Sequence, residues 1–460
     1  MIAPAEVAGA PPRPSLLRGS ALYLLAHGCG LALSLLTSVL LVRVTTPADT
    51  ASYLLFLQAV ALVTMLLHGV SPATLRFAPL ARGEGGTAAT AVLRRRLLGL
   101  LLLLWLVLLP PLLLVWPWLT TRLGAAELAA IGALAAGAAA LTALGRVITA
   151  YLRSFRSYVA AAFFDQLGIR GILCGGLVLL YLRHRAASWV EIAGLFAAAT
   201  AVTMLVQVIA LLRTTPLETP PGVTAHEAPP LPRILRVALA LGGNALMTGL
   251  LFNCDLWVLS ASRPHQEVAV YGMMLRLLQV VALSPLVAAF VVPQEFSRLH
   301  AEGKRHELEA LARGAATGTT LVALAGALVL LLAGRPLIAW LFGPLYTSGW
   351  GILLILVAAR LWDAAAGPAA SLLLMTGHHR RVLATTAAGA IGGLLLALLL
   401  APRLGGPGVA TAVALALTFT NVVNVHGARR LLGVHTYAYG SWTEWRRVAL
   451  LPWSRLRARW

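Results

Sequence analysis

Residues 97–119 read LLGLLLLLWLVLLPPLLLVWPWL and follow directly on Arg94-Arg95-Arg96. At 1.5 Å per residue a helix of this length crosses a hydrocarbon core of about 30 Å, and it does so without a single charge. The run does not alternate, as a membrane barrel strand would, and it has no polar stripe, as a soluble helix would. It predicts a transmembrane helix whose arginine-flanked end faces the cytoplasm.

The rest of the chain repeats that pattern. Hydrophobic residues make up 59% of the 460 residues and charged residues 11%, and the mean hydropathy is +0.84, values that point to a bilayer as solvent. The basic excess, 36 Lys and Arg against 16 Asp and Glu, punctuates apolar runs instead of forming a soluble basic face. It reads as topology and excludes a nucleic-acid partner. Lys304 is the only lysine, and the Ala, Leu, Gly and Arg bias suggests a GC-rich bacterial genome. Cys29, Cys174 and Cys254 lie far apart in apolar runs, with neither metal-ligand nor disulfide spacing. The Pro/Ala-rich start leads into an apolar run with no small-residue cleavage site, which reads as an uncleaved first helix.

About twelve apolar runs qualify as spans: 20–42, 51–74, 97–119, 125–148, 159–182, 188–212, 234–260, 266–292, 315–334, 350–376, 382–400 and 405–428. Placing both termini in the cytoplasm puts most of the basic residues on that side, the 183–185 loop excepted. The expected class is an all-α polytopic membrane protein. Its segments are a cytoplasmic 1–19, a six-helix lobe over 20–212, a proline-bearing inter-lobe linker over 213–233, a second six-helix lobe over 234–428, and a basic Trp-rich interfacial tail over 429–460. The second helix of each six leaves the membrane through similar text, Phe77-Ala-Pro-Leu80 with Arg82-Gly-Glu-Gly85 and Phe296-Ser-Arg-Leu299 with Ala301-Glu-Gly303. That likeness suggests duplicated halves related by a pseudo-twofold along the membrane normal.

Short loops leave no room for an extramembrane domain, so chemistry has to reside among charges inside the spans. Asp165, Arg170, Asp255, Arg276, Arg360 and Asp363 lie there, each at a cost of about 2.5–3.5 kcal/mol if left facing lipid at mid-depth. Arg170, Arg276 and Arg360 approach the midplane, where transporters bind substrate between repeats. Guanidinium groups suit phosphate or pyrophosphate, to which they donate paired hydrogen bonds. They are the candidate substrate-binding residues. Arg360 and Asp363, three apart, share a face and could instead neutralise each other; Arg276 has its nearest candidate acid, Asp255, across a hairpin. Asp255 with Asn253 and Asn244, together with Asp165, Asp363 and His27, are candidates for carrying a coupling proton or sodium ion. His68 reads as a packing residue. No metal-binding, Walker-type or nucleophile-elbow motif appears, so neither an enzyme nor a cofactor is expected.

Several stretches resemble polysaccharide-unit flippases of the multidrug/oligosaccharidyl-lipid/polysaccharide exporter superfamily. They are Pro47-Ala-Asp49-Thr-Ala-Ser-Tyr53, Leu75-Arg76-Phe77 and Tyr271-Gly272-Met-Met-Leu-Arg276-Leu277. Val292-Pro293, Ser297-Arg298-Leu299, Trp340-Leu-Phe342-Gly343, Thr376-Gly377-His-His-Arg380 and Pro402-Arg-Leu-Gly405-Gly-Pro-Gly408-Val-Ala410 continue the likeness through most of 20–428. Ala51 departs from it, standing where such proteins usually have glycine. The resemblance implies two lobes in a V around a cationic cavity, alternating access, and a polyprenyl-pyrophosphate-linked glycan as cargo. It also implies that Arg276 matches a basic position kept in the eighth helix. Membrane lipids and other polysaccharide assembly proteins are the expected partners, and the bacterial cytoplasmic membrane the expected location. A cation-coupled multidrug antiporter is the alternative. A membrane glycosyltransferase or polymerase fits less well, because the outer loops are short.

Overall fold

A computed structural model of the protein describes residues 16–122, 126–154, 163–214, 230–281, 292–441 and 443–446. Much of the 213–233 linker, residues 282–291 of the eighth expected span, and tail residues Trp442 and 447–460 lie outside that set, as does the start of the chain. Among the described residues the structure is helical, with no strand. In chain order the helices are α1 Leu16–Val44, α2 Pro47–Leu67, α3 Val70–Arg122, α4 Ala126–Ser154, α5 Ile169–Leu182, entered through a π-helical turn Phe164–Gly168, and α6 Trp189–Thr214. After the linker come α7 Leu231–Asn253, α8 Asp255–Ser260, α9 His265–Leu278, α10 Val292–Ala301, α11 Arg305–Phe342, α12 Trp350–Ala366, α13 Ala369–Met375 and α14 His379–Leu432. Nine helical stretches among the described residues are long and apolar enough to cross a membrane.

The caps explain several boundaries. Pro47 opens α2 at its first helical position, and the Thr46 hydroxyl accepts the Asp49 N–H at 3.2 Å, so a proline and an N-cap start the helix together. The Asp49 carboxylate in turn accepts the Trp189 N–H at 3.1 Å, tying the start of α2 to that of α6. Ala51 is buried one turn inside α2, so the departure at that position falls in a helix and not in the preceding turn. α14 holds two expected spans as one hairpin. It reverses at Gly405, where φ 60 and ψ −140 suit a residue without Cβ. The groups that this break frees are covered by the α8–α9 connection: Arg263 donates to the carbonyls of Ala401 (3.1 Å) and Pro402 (2.9 Å), and Glu267 accepts the Gly406 N–H at 2.6 Å.

Two features differ from the sequence expectation. The loop expected between the second and third spans is helical: α2 ends early, at the His68–Gly69 turn, and α3 then runs unbroken through 75–96. The turn falls there because Gly69 meets the backbone of α7 so closely that a Cβ would stand 1.8 Å from the Ala238 carbonyl oxygen. Second, the chain beyond α14 folds back into the protein at residues 433–441. Val434 and Thr436 are fully buried, and the strap lies across α11 and the α12–α13 break. Gly367 and Pro368 interrupt the helix there, leaving carbonyls unpaired. The Ala438 N–H donates to Ala365 O at 2.9 Å and the Thr436 hydroxyl to Ala366 O at 3.2 Å. Arg313 of α11 stacks on the Tyr439 ring at 4.2 Å.

Helices α1–α6 and α7–α14 form two lobes that meet along α2, which packs on both α7 and α9. The core between them holds Tyr53, Leu54, Leu256, Tyr271 and Met274, all buried. Large apolar side chains such as Leu332, Leu395 and Leu399 are exposed on the outside, as a lipid-facing surface requires.

Candidate functional site

The lobe seam carries the polar residues. On the first lobe, the π turn adds a residue to the helical repeat before α5 and so aims neighbouring side chains differently. Asp165 pairs with Arg153 at the end of α4. Gln166 and Arg170 face α1 instead. The Arg170 guanidinium donates to Gln166 Oε1 at 2.8 Å and to Gln166 O at 3.2 Å. It presses so tightly on α1 that a Cβ on Gly30 would come within 2.5 Å of it. His27, one turn earlier, contacts Gln166 and feels the Arg170 charge.

From the second lobe, Arg276 stands in the last turn of α9, half-buried, within electrostatic reach of Tyr53 and of Arg170 across the seam. No carboxylate pairs with it among the described residues. Beside it the lobes touch through Ser34 and Gln279, whose side-chain oxygens are 3.3 Å apart. Tyr53 is buried, and its hydroxyl has no hydrogen-bond partner among the described residues. His27, Arg170 and Arg276 thus converge with Gln166, Tyr53, Ser34 and Gln279 into one basic, hydroxyl- and amide-lined cluster.

Asp255 occupies a separate position. It opens α8 at the Cys254 kink after α7, is buried, and accepts the Gln58 amide N–H of α2 at 2.7 Å and its neighbour's Leu256 N–H at 2.9 Å. The Tyr271 hydroxyl lies beside the same carboxylate without hydrogen-bonding geometry. Asp255 therefore does not serve as counter-ion to Arg276. Behind it, Leu250, Leu251, Cys254, Ala390, Gly393 and Ala416 line a small cavity with about 20 Å³ of room for water-sized atoms. Asn253 donates to Gly249 O of its own helix at 3.0 Å.

Arg360 and Asp363 stay within the second lobe. They face each other at 3.5 Å, Asn421 donates to Asp363 at 2.9 Å, and the Arg360 guanidinium stacks on Phe252 at 4.6 Å. The structure brings Arg170, Arg276 and His27 together, and sets Arg360, Asp363 and Asp165 in local pairs. Sequence reasoning passed over Gln58 and Gln166, uncharged polar residues in apolar runs that look like ordinary interhelical glue, and gave Tyr53 no role beyond its place in a motif. Among the described residues no group of three His, Cys, Asp or Glu side chains is placed to hold a metal ion.

No family model matches the chain, and no curated protein matches it by sequence. Solved structures do match. An inward-facing multidrug resistance transporter of the MATE family, of the MOP superfamily, aligns with a TM-score of 0.74 at 18% identity, over 90% of this chain and 98% of its own. The lipid II flippase MurJ in an inward closed conformation aligns with a TM-score of 0.70 at 13% identity, over 94% and 90%. A MOP superfamily transporter from Pyrococcus furiosus, described as having a binding pocket of reversed polarity, aligns with a TM-score of 0.66 at 16% identity, over 91% and 95%. The chain has the two-lobe helical fold of these transporters.

Proposed function

We propose that the protein is a flippase that carries a polyprenyl-pyrophosphate-linked oligosaccharide across the bacterial cytoplasmic membrane, its lobes rocking to alternate access. The observation that carries this reading is Arg276: a half-buried guanidinium on the lobe seam, within electrostatic reach of Arg170, with no carboxylate beside it among the described residues. A guanidinium so placed is costly in a membrane unless an anion or water meets it. A pyrophosphate, with oxygens for two guanidinium forks, is the matching cargo group. Gln166, Tyr53, Ser34 and Gln279 would supply hydrogen bonds to the first sugars while the prenyl tail stays in lipid. The proposed role is transport and not catalysis, with both termini cytoplasmic and a proton or sodium ion as coupling partner. Other polysaccharide assembly proteins would supply and receive the glycan.

The test is the leaflet distribution of lipid-linked glycan in cells carrying Arg276→Ala. The variant should accumulate at wild-type level and trap the glycan on the cytoplasmic face. Normal outer-leaflet delivery would sink the assignment.

A second reading, a cation-coupled drug antiporter, draws on one observation of its own, the buried Asp255 carboxylate at the seam. Efflux of cationic drugs abolished by Asp255→Asn, with glycan delivery intact, would favour it.

A further inference from the structure

Away from the Arg276 cluster, the first lobe contains another basic pair. Arg146 of α4 and His68, in the turn between α2 and α3, approach with Nη1 and Nδ1 at 3.3 Å. A guanidinium only donates, so the imidazole Nδ1 accepts and the ring carries its proton on Nε2. The Ser71 hydroxyl donates to Arg146 O at 3.4 Å, pinning the start of α3 to α4. Arg146 is half-buried, and no carboxylate among the described residues approaches it. Among the described residues the pair therefore holds a positive charge that no carboxylate offsets, with guanidinium N–H donors beyond the one that His68 accepts, an arrangement suited to an anion.

Its place is informative. The two basic sites are marked off along one helix: Tyr53, beside Arg276, is in the second turn of α2, and His68 caps that helix's far end. Fifteen residues at 1.5 Å set them about 22 Å apart along α2. The Arg146 pair is thus at the end of the bundle where α6 stops and α7 begins, next to the Gly69–Ala238 contact of the two lobes. On α7 beside that contact, the Cβ position of Gly243 faces open space.

We infer that Arg146, oriented by His68, forms a second binding station for a pyrophosphate group, which receives the cargo headgroup at the linker end before it reaches Arg276. This rests on the proposed function for the identity of the cargo, but the binding itself does not. The test counts molecules of farnesyl pyrophosphate bound at saturation to the full-length protein in nanodiscs, by native mass spectrometry. The expected count is two for wild type, one for R146Q, one for R276Q and two for R146K, which keeps the charge and controls for folding. Two molecules on R146Q, or one on wild type, overturns the station. Two molecules on R276Q instead counts against the proposed function, so the two failures are distinguishable. Inorganic pyrophosphate, tested alone, separates the sources: if it fills the station as readily, the ligand is a free anion, and if it does not, the lipid-borne headgroup is the ligand.

Discussion

Gln58 on α2 donates a 2.7 Å hydrogen bond to the Asp255 carboxylate on α8, joining the two lobes through a pair buried on both sides. Because one partner comes from each lobe, any rocking that separates α2 from α8 has to break it. A double-mutant cycle of Gln58→Ala and Asp255→Ala, read by thermal unfolding in detergent, should return a coupling of about 1 kcal/mol or somewhat more. A coupling of zero would mean that the bond is absent from the resting state.

Arg276 and Arg360 are both arginines in apolar spans, and their surroundings separate them. Arg276→Gln should lower transport at least about tenfold, the loss of one charge-assisted hydrogen bond to cargo of about 1.5–3 kcal/mol. Arg360→Gln should leave transport near wild type, since Asp363 keeps its Asn421 donor. Equal losses in a leaflet assay would show that both arginines meet the cargo.

Glu302, in the turn between α10 and α11, binds Lys304 at 2.9 Å and Arg298 at 2.8 Å. The hydrogen bonds from Lys304 and then Arg298 hold its carboxyl below the ordinary range. A folded-state pKa below the unfolded one gives stability that is fully present above the unfolded value and lost as pH falls through the folded one. The Tm difference between wild type and Glu302→Gln should therefore be present at neutral pH and vanish in acid. A difference constant across that window would count against the arrangement.

Thr436 tests the strap. Its hydroxyl bonds Ala366 O in a fully buried position, so Thr436→Val keeps the shape and leaves that carbonyl unpaired. The expected loss is about 1–3 kcal/mol, seen as a lowered Tm, with Thr436→Ser close to wild type.

Much of the fold is legible in the sequence because uninterrupted apolar runs admit few alternatives in a bilayer. The local pairing of Arg360 with Asp363 was likewise readable, as a spacing of three on one helix. The partner of Asp165 was not: Arg153 precedes it by twelve residues across a helical hairpin, and only the packing of α4 against the π turn shows that they meet. Arg146 was hidden for another reason. It falls close to the end of an expected span, where an arginine reads as a topology signal, whereas α4 continues to Ser154 and carries it inside the bundle. The early end of α2 depends on a backbone contact between distant segments, Gly69 and Ala238, which no local pattern encodes.

A Gly-Pro interruption between two helices is ordinarily a place where a bundle flexes. At Gly367–Pro368 the strap bonds the carbonyls of Ala365 and Ala366, while the Tyr439 N–H holds Thr317 of α11 at 3.0 Å. The interruption is splinted like a set joint. Torque reaching the second lobe there turns α12, α13 and the stretch of α11 that carries Thr317 together, and the bending is left to other places, among them the break at Gly334 within α11.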